Sequence, residues 1–173
     1  MTALLTEKYF HVRTNKLAKG IVFCWFLGLV FGTVLAYFCR TEFSSLMYSA
    51  AVQPVSIVGL FVCTVLPFVF LFFAFCNRKH GIICSICFYK SFSHFFCTET
   101  IILHFQSAGW LIYCLILLSD VCVLMTILTL SLGYAQNGLK SAGRWLYCSA
   151  LVLFAVNGIA YCLIYPVIKD IFC

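Results

Sequence analysis

The chain has 173 residues, 64% of them hydrophobic and 9% charged, with a formal net charge of +6 and a mean hydropathy of +1.09. Soluble domains average about 45–50% apolar and about 25% charged residues, so this composition excludes a water-coated domain and points to lipid as the solvent. No polar stretch is long enough to be a soluble unit, and the fold class expected is an all-α polytopic membrane helix bundle, one membrane domain over 1–173.

A basic flank over 1–20 carries Lys8, Arg13, Lys16 and Lys19 among Leu4, Leu5, Tyr9, Val12 and Leu17. It reads either as a short amphipathic helix on the inner leaflet or as a loose flank that only sets topology. It is longer than the n-region of a signal peptide and no A-x-A-like site follows, so no cleaved leader is expected. A bilayer core of about 30 Å needs roughly 20 apolar residues per helix. Residues 21–39 meet this, as do 52–76, 109–135 and 145–168. The first contains Gly28 and Gly32, a GxxxG stripe that lets another helix approach closely; internal packing is favoured over a self-association face. The second is interrupted by Pro54 and Pro67.

The segment 81–105 is the difficult one, because it contains Lys90, His94, Glu99 and His104. Each central Lys or acid adds about +2.5 to +3.5 kcal/mol on an insertion scale where Leu, Ile and Phe return only about −0.3 to −0.6. The segment does not insert alone. It either packs against polar partners as a span or forms a re-entrant pair of half-helices. If it spans, Lys8, Arg13, Lys16, Lys19, Arg78, Lys79, Lys140 and Arg144 fall on one side and only Arg40 and Lys169 on the other. A re-entrant segment weakens that asymmetry, so spanning is favoured: five helices, N-terminus cytoplasmic and C-terminus outside. The location expected is the plasma membrane, with multiple passes.

Lys90 and His94 are four residues apart and share a helix face, whereas Glu99 lies about 180° round from Lys90. Asp120 is the other deep charge. Counting helical rises puts it near His94 in depth, with Lys90 about 9 Å shallower, so a contact of either cation with Asp120 is feasible. Two readings of Lys90, His94, Glu99 and Asp120 stay open: a buried pair that fixes helix packing, or a proton or ion pathway.

Enzyme chemistry finds no support. The chain has no phosphate loop, no Rossmann glycines, no HExxH and no nucleophile elbow. The histidines at 11, 80, 94 and 104 lack ligand spacing, and Cys84-Ser-Ile-Cys87 is a single CxxC without a second motif, so neither metal nor cofactor is expected. Cys24, Cys39, Cys63, Cys76, Cys114, Cys122, Cys148 and Cys162 lie inside or at the ends of apolar runs and read as packing residues. The positive charge is accounted for by inner-leaflet loops, so the partners expected are the lipid bilayer and other membrane proteins or further copies of the chain, with no nucleic acid.

Three features together resemble the stage II sporulation protein M family. They are Phe26-Leu27-Gly28-Leu29-Val30-Phe31-Gly32 after a basic flank, a long apolar helix ending at a basic turn, and Cys87-Phe88-Tyr89-Lys90-Ser91-Phe92-Ser93. The resemblance implies a membrane scaffold of five or six helices. The sporulation member of that family anchors cell-wall hydrolases in the membrane, so an envelope-related scaffold or anchor subunit is the function expected. A small transporter, or the substrate-binding membrane subunit of one, is the alternative.

Overall fold

A computed structural model describes residues 2–39, 57–105, 118–139, 145–146, 148–159 and 162. All regular structure among them is α-helical. The first helix, α1, runs without interruption over Thr2–Phe38, 37 residues. The basic flank is therefore neither loose nor a separate element: Leu, Lys, Ala and Glu are good helix formers, and no proline intervenes before the apolar run. Within α1, Lys16–Phe38 is a stretch of 23 residues long and apolar enough to cross a membrane, and it is the one such stretch among the described residues. Shorter apolar helices cover Phe61–Cys76, Asp120–Gln136 and Cys148–Ile159.

The second apolar segment is two helices, α2 over Ile57–Thr64 and α3 over Leu66–Cys76, meeting at Val65. Pro67 sits in the first turn of α3. It has no N–H to offer the carbonyl four residues earlier, that of Cys63. The chain tightens here, and Phe68 N–H donates to Val65 O at 3.0 Å. Pro54 lies outside the described residues.

A three-residue turn reverses the chain after α3. Arg78 takes a left-handed conformation, φ 52°. Lys79 N–H then reaches Ala74 O at 2.9 Å and Arg78 N–H reaches Phe75 O at 3.3 Å. These are the two bonds of a Schellman cap, with arginine where glycine is usual. The side chain of Asn77 adds a bond from Nδ2 to Phe73 O at 2.9 Å.

The difficult segment forms α4, one continuous helix over His80–Phe105. The re-entrant pair of half-helices does not form. Charged side chains raise the energy of insertion but leave the backbone ladder intact, and only proline or glycine chemistry breaks it readily. Thr98 and Thr100 return their hydroxyls to the carbonyls of His94 and Phe96, so neither exposes an unpaired donor. Helix α5 covers Leu118–Asn137 and ends at Gly138, φ 73°, whose N–H caps Tyr134 O at 2.9 Å. The expected start of that segment at 109, and the end of the last one beyond 162, lie outside the described residues. Helix α6 covers Cys148–Ile159.

Helices α1 and α4 are parallel. Gly20 lies against Cys84, Gly28 against Phe88–Phe92 and Gly32 against Phe92–Phe96, so the numbers climb together along the seam. Helix α5 runs antiparallel to α4: Asp120 meets Lys90 and His94, Ser131 meets Cys87, and Tyr134 stacks on Phe75 just before the turn. One apolar cluster joins Ile21, Phe68, Leu71, Phe75, Ile83, Val123, Ile127 and Leu153. The outward faces are equally apolar. Phe23, Phe26, Phe31, Phe70 and Phe73 are all more than half exposed.

Candidate functional site

The site is built by α4, which presents different residues to its two neighbours. Ser91, with Phe88 and Phe92 on either side, faces α1, and Cys87, Lys90 and His94 face α5. The spacing of 87, 90 and 94 is one stripe of a 3.6-residue helix, so α5 meets a column of polar atoms. Lys90 and His94 are buried, with side chains 7% and 3% exposed.

Both oxygens of the Asp120 carboxylate are engaged. Lys90 Nζ lies 3.4 Å from Oδ1 and His94 Nδ1 lies 3.0 Å from Oδ2. The carboxylate side chain is 30% exposed, so the cluster is closed by protein on the α4 side and opens at the acid. The lysine contact is long for a charge-assisted bond and the histidine contact is close to ordinary length, so imidazole is the better-placed partner. An ionised Asp120 accepts from Nδ1–H, which leaves Nε2 to accept or donate elsewhere. The ring of His94 also sits edge-on to Phe95, with centroids 5.2 Å apart.

Of the four ionisable residues singled out in the sequence, the structure gathers Lys90, His94 and Asp120. Glu99 is partly buried on α4 outside the cluster, because nine residues past Lys90 is half a turn out of phase. Gly28 and Gly32 are buried in the α1–α4 seam. A Cβ at Gly32 would come within 2.6 Å of Phe92 O, and one at Gly28 would overlap Phe88 O and stand 2.9 Å from Phe92 N. Lys16, Lys19, Arg78 and Lys79 are exposed at one end of the parallel pair, since Gly20 stands level with Cys84. Lys8 and Arg13 precede them on the same helix.

Several polar contacts are not apparent in the sequence. Ser91 Oγ donates to Trp25 O at 2.7 Å, Cys87 Sγ to Ser131 Oγ at 3.5 Å and Asn157 Nδ2 to Thr64 Oγ1 at 3.0 Å. One readable signal was present: small residues recur every fourth position as Gly20, Cys24, Gly28, Gly32 and Ala36, a stripe longer than the GxxxG within it. The ten described cysteines are all free thiols. Among the described residues, no three of His, Cys, Asp and Glu converge as a metal-ion site.

No family model matches the chain, and neither a curated protein nor a solved structure does so.

Proposed function

We propose that the chain is a five-span membrane protein serving as a non-enzymatic scaffold or anchor subunit. Its charged cluster then acts as an internal clasp between helices. The observation that carries this reading is the Asp120 carboxylate, whose two oxygens are both taken by partners on α4. Such a paired group fixes which helices pack together, at the expense of desolvating Lys90 and His94 and, in part, Asp120. The parallel course of α1 and α4 supports the span count: two neighbouring spans point the same way when one return crossing lies between them, the place α2 and α3 occupy in the chain. The phenylalanine-rich outer faces of α1 and α3 suit acyl chains. The envelope-anchoring role implied by the family resemblance is one form such a scaffold takes.

The transporter reading draws on a different observation, the 30% exposure of Asp120, which leaves an intramembrane acid open on one side. Replacing Asp120 by Asn separates the two. A clasp loses abundance and assembly, whereas a pathway residue loses proton-linked flux in a protein that still accumulates. Single-cysteine labelling in a cysteine-free background tests the span count. Ser45, Ser107 and the C-terminus label from outside and Asn137 does not; labelling of Asn137 from outside overturns the five-span arrangement.

A further inference from the structure

The flank of α1 carries an open groove of about 510 Å³, lined by Ala18, Lys19, Val22, Phe23, Trp25 and Phe26. These six residues fall on one side of a 3.6-residue helix, with the small Ala18 among bulkier neighbours, so the groove follows the helix axis. From Ala18 to Phe26 it extends eight rises, about 12 Å, close to one leaflet's half of a bilayer core of about 30 Å. Its wall is almost wholly carbon. The Trp25 ring is held edge-on to Phe95, with centroids 6.4 Å apart, and its Nε1 is buried, so the indole shows the groove carbon alone. Lys19 lines the groove through its methylene stem and stands at the end nearest the basic turn, because Gly20 is level with Cys84. Lys16 and Lys19 are exposed, and among the described residues both ion pairs are made by Asp120, so neither lysine has a carboxylate partner there.

We propose that this groove holds one anionic phospholipid, with an acyl chain along Val22, Trp25 and Phe26 and the headgroup phosphate at Lys19. A carbon-walled groove that begins at an uncompensated cation is the complement of an amphiphile with a negative head. A zwitterionic lipid brings the same phosphate together with an ammonium group, which Lys16, one turn before Lys19, repels; a headgroup of net negative charge meets no such opposition. The inference deepens the membrane reading and rests on it.

The test uses the full-length chain carrying Trp110→Phe and Trp145→Phe, which leaves Trp25 as the one tryptophan of the three. It is reconstituted in phosphatidylcholine vesicles into which phosphatidylglycerol or phosphatidylcholine with brominated acyl chains is titrated. Bromine quenches indole fluorescence only at close approach, so Trp25 reports occupation of the groove. Half-maximal quenching is expected at a mole fraction at least threefold lower for the brominated phosphatidylglycerol than for the brominated phosphatidylcholine. Lys19→Gln brings the two mole fractions together. Val22→Phe, at an exposed position that the fold tolerates, crowds the groove and raises the mole fraction of phosphatidylglycerol required. Equal quenching by the two lipids before either substitution overturns the proposal and leaves the membrane reading standing, the groove then being filled by bulk lipid without selection. A preference that survives Lys19→Gln, or a groove indifferent to Val22→Phe, overturns it as well. Absence of quenching by either lipid overturns the membrane reading and the lipid site together.

Discussion

Ser91 gives its hydroxyl to the backbone carbonyl of Trp25 across the α1–α4 seam, at 2.7 Å. Two helices reach that distance only where the intervening side chains are small, and Gly28 and Gly32 supply the space. The bond itself is a modest contributor: interhelical hydrogen bonds in membrane proteins average about 0.6 kcal/mol. The close approach of the backbones contributes more, and alanine scanning of the glycines separates the two.

Gly28→Ala and Gly32→Ala each place a methyl group against the α4 backbone, which cannot swing aside as a side chain does. Each is expected to lower stability by about 1–3 kcal/mol, the range for overpacked sites. Gly20→Ala serves as the control. Its added Cβ meets only Cys84 Sγ, at 3.7 Å, and the substitution is neutral or slightly stabilising through helix propensity. Ser91→Ala falls between them, at about 0.6 kcal/mol. Equilibrium unfolding in mixed detergent ranks the four variants, and equal effects of the three glycine substitutions would remove the steric account of the seam.

Asp120→Leu leaves Lys90 buried without its counter-ion. Breaking a fully buried pair in this way costs about 3–5 kcal/mol, and the partial exposure of Asp120 brings the expectation down to about 2–3 kcal/mol. Lys90→Met combined with Asp120→Leu recovers most of the loss, because an apolar pair of similar volume avoids desolvation altogether. A double variant as unstable as the single one would show that His94, and not Lys90, is the partner that matters. That result would accord with its shorter contact, 3.0 Å against 3.4 Å.

Arg78 occupies the left-handed position of the cap that closes α3. A side chain there is disfavoured by about 1 kcal/mol relative to glycine. Arg78→Gly is therefore expected to raise the unfolding free energy by up to about 1 kcal/mol, measured by the same unfolding assay. It also removes one cation from the basic end of the bundle, so a topology reporter on the same variant checks whether the remaining basic residues set the proposed orientation.

Tyr134 stacks on Phe75 with centroids 4.2 Å apart and planes 5° from parallel, and its hydroxyl donates to Phe75 O at 3.2 Å. Tyr134→Phe keeps the stack and loses the bond, an expected loss of about 0.5–1.5 kcal/mol. Tyr134→Ala empties the site and is expected to lose about 3–5 kcal/mol. A loss for Tyr134→Phe equal to that for Tyr134→Ala would make the hydrogen bond, and not ring packing, the main contribution.

Composition and apolar run length were enough to read an all-helical chain, because hydropathy and periodicity are properties of local sequence. A contact of Asp120 with Lys90 or His94 was foreseeable from helical rise, but rise alone put Lys90 about 9 Å from the depth of Asp120 and did not show that both cations would meet the one carboxylate. The position of the backbone break was legible in part: Pro67 marked an interruption of the second apolar segment, but charge marked another segment as the doubtful one. Charges drew attention to the segment around Lys90, yet the helix parts at Val65, where Pro67 withdraws a donor. Insertion energy and backbone continuity are separate quantities, and only the second is set by imino chemistry. The partner of Gly28 and Gly32 was not legible either. A small-residue stripe states how near a helix can come but not which helix comes, and here the answer depends on Phe88, Ser91 and Phe92, more than fifty residues away.

The order in which these pieces leave a ribosome gives the clasp a timetable. Lys90 and His94 emerge before Asp120, which follows Lys90 by 30 residues. Their docking surface on α1 is already made, because the glycine stripe precedes α4 in the chain. For a protein that enters a bilayer as it is synthesised, α1 receives α4 first through Ser91 and the glycines. The lysine then waits, dehydrated or snorkelling, until α5 delivers its acid. Helix α1 is in this sense a chaperone carried within the chain. Lengthening the connection between α4 and α5 would prolong the wait and expose the nascent protein to quality control, even though the finished contacts would be unchanged.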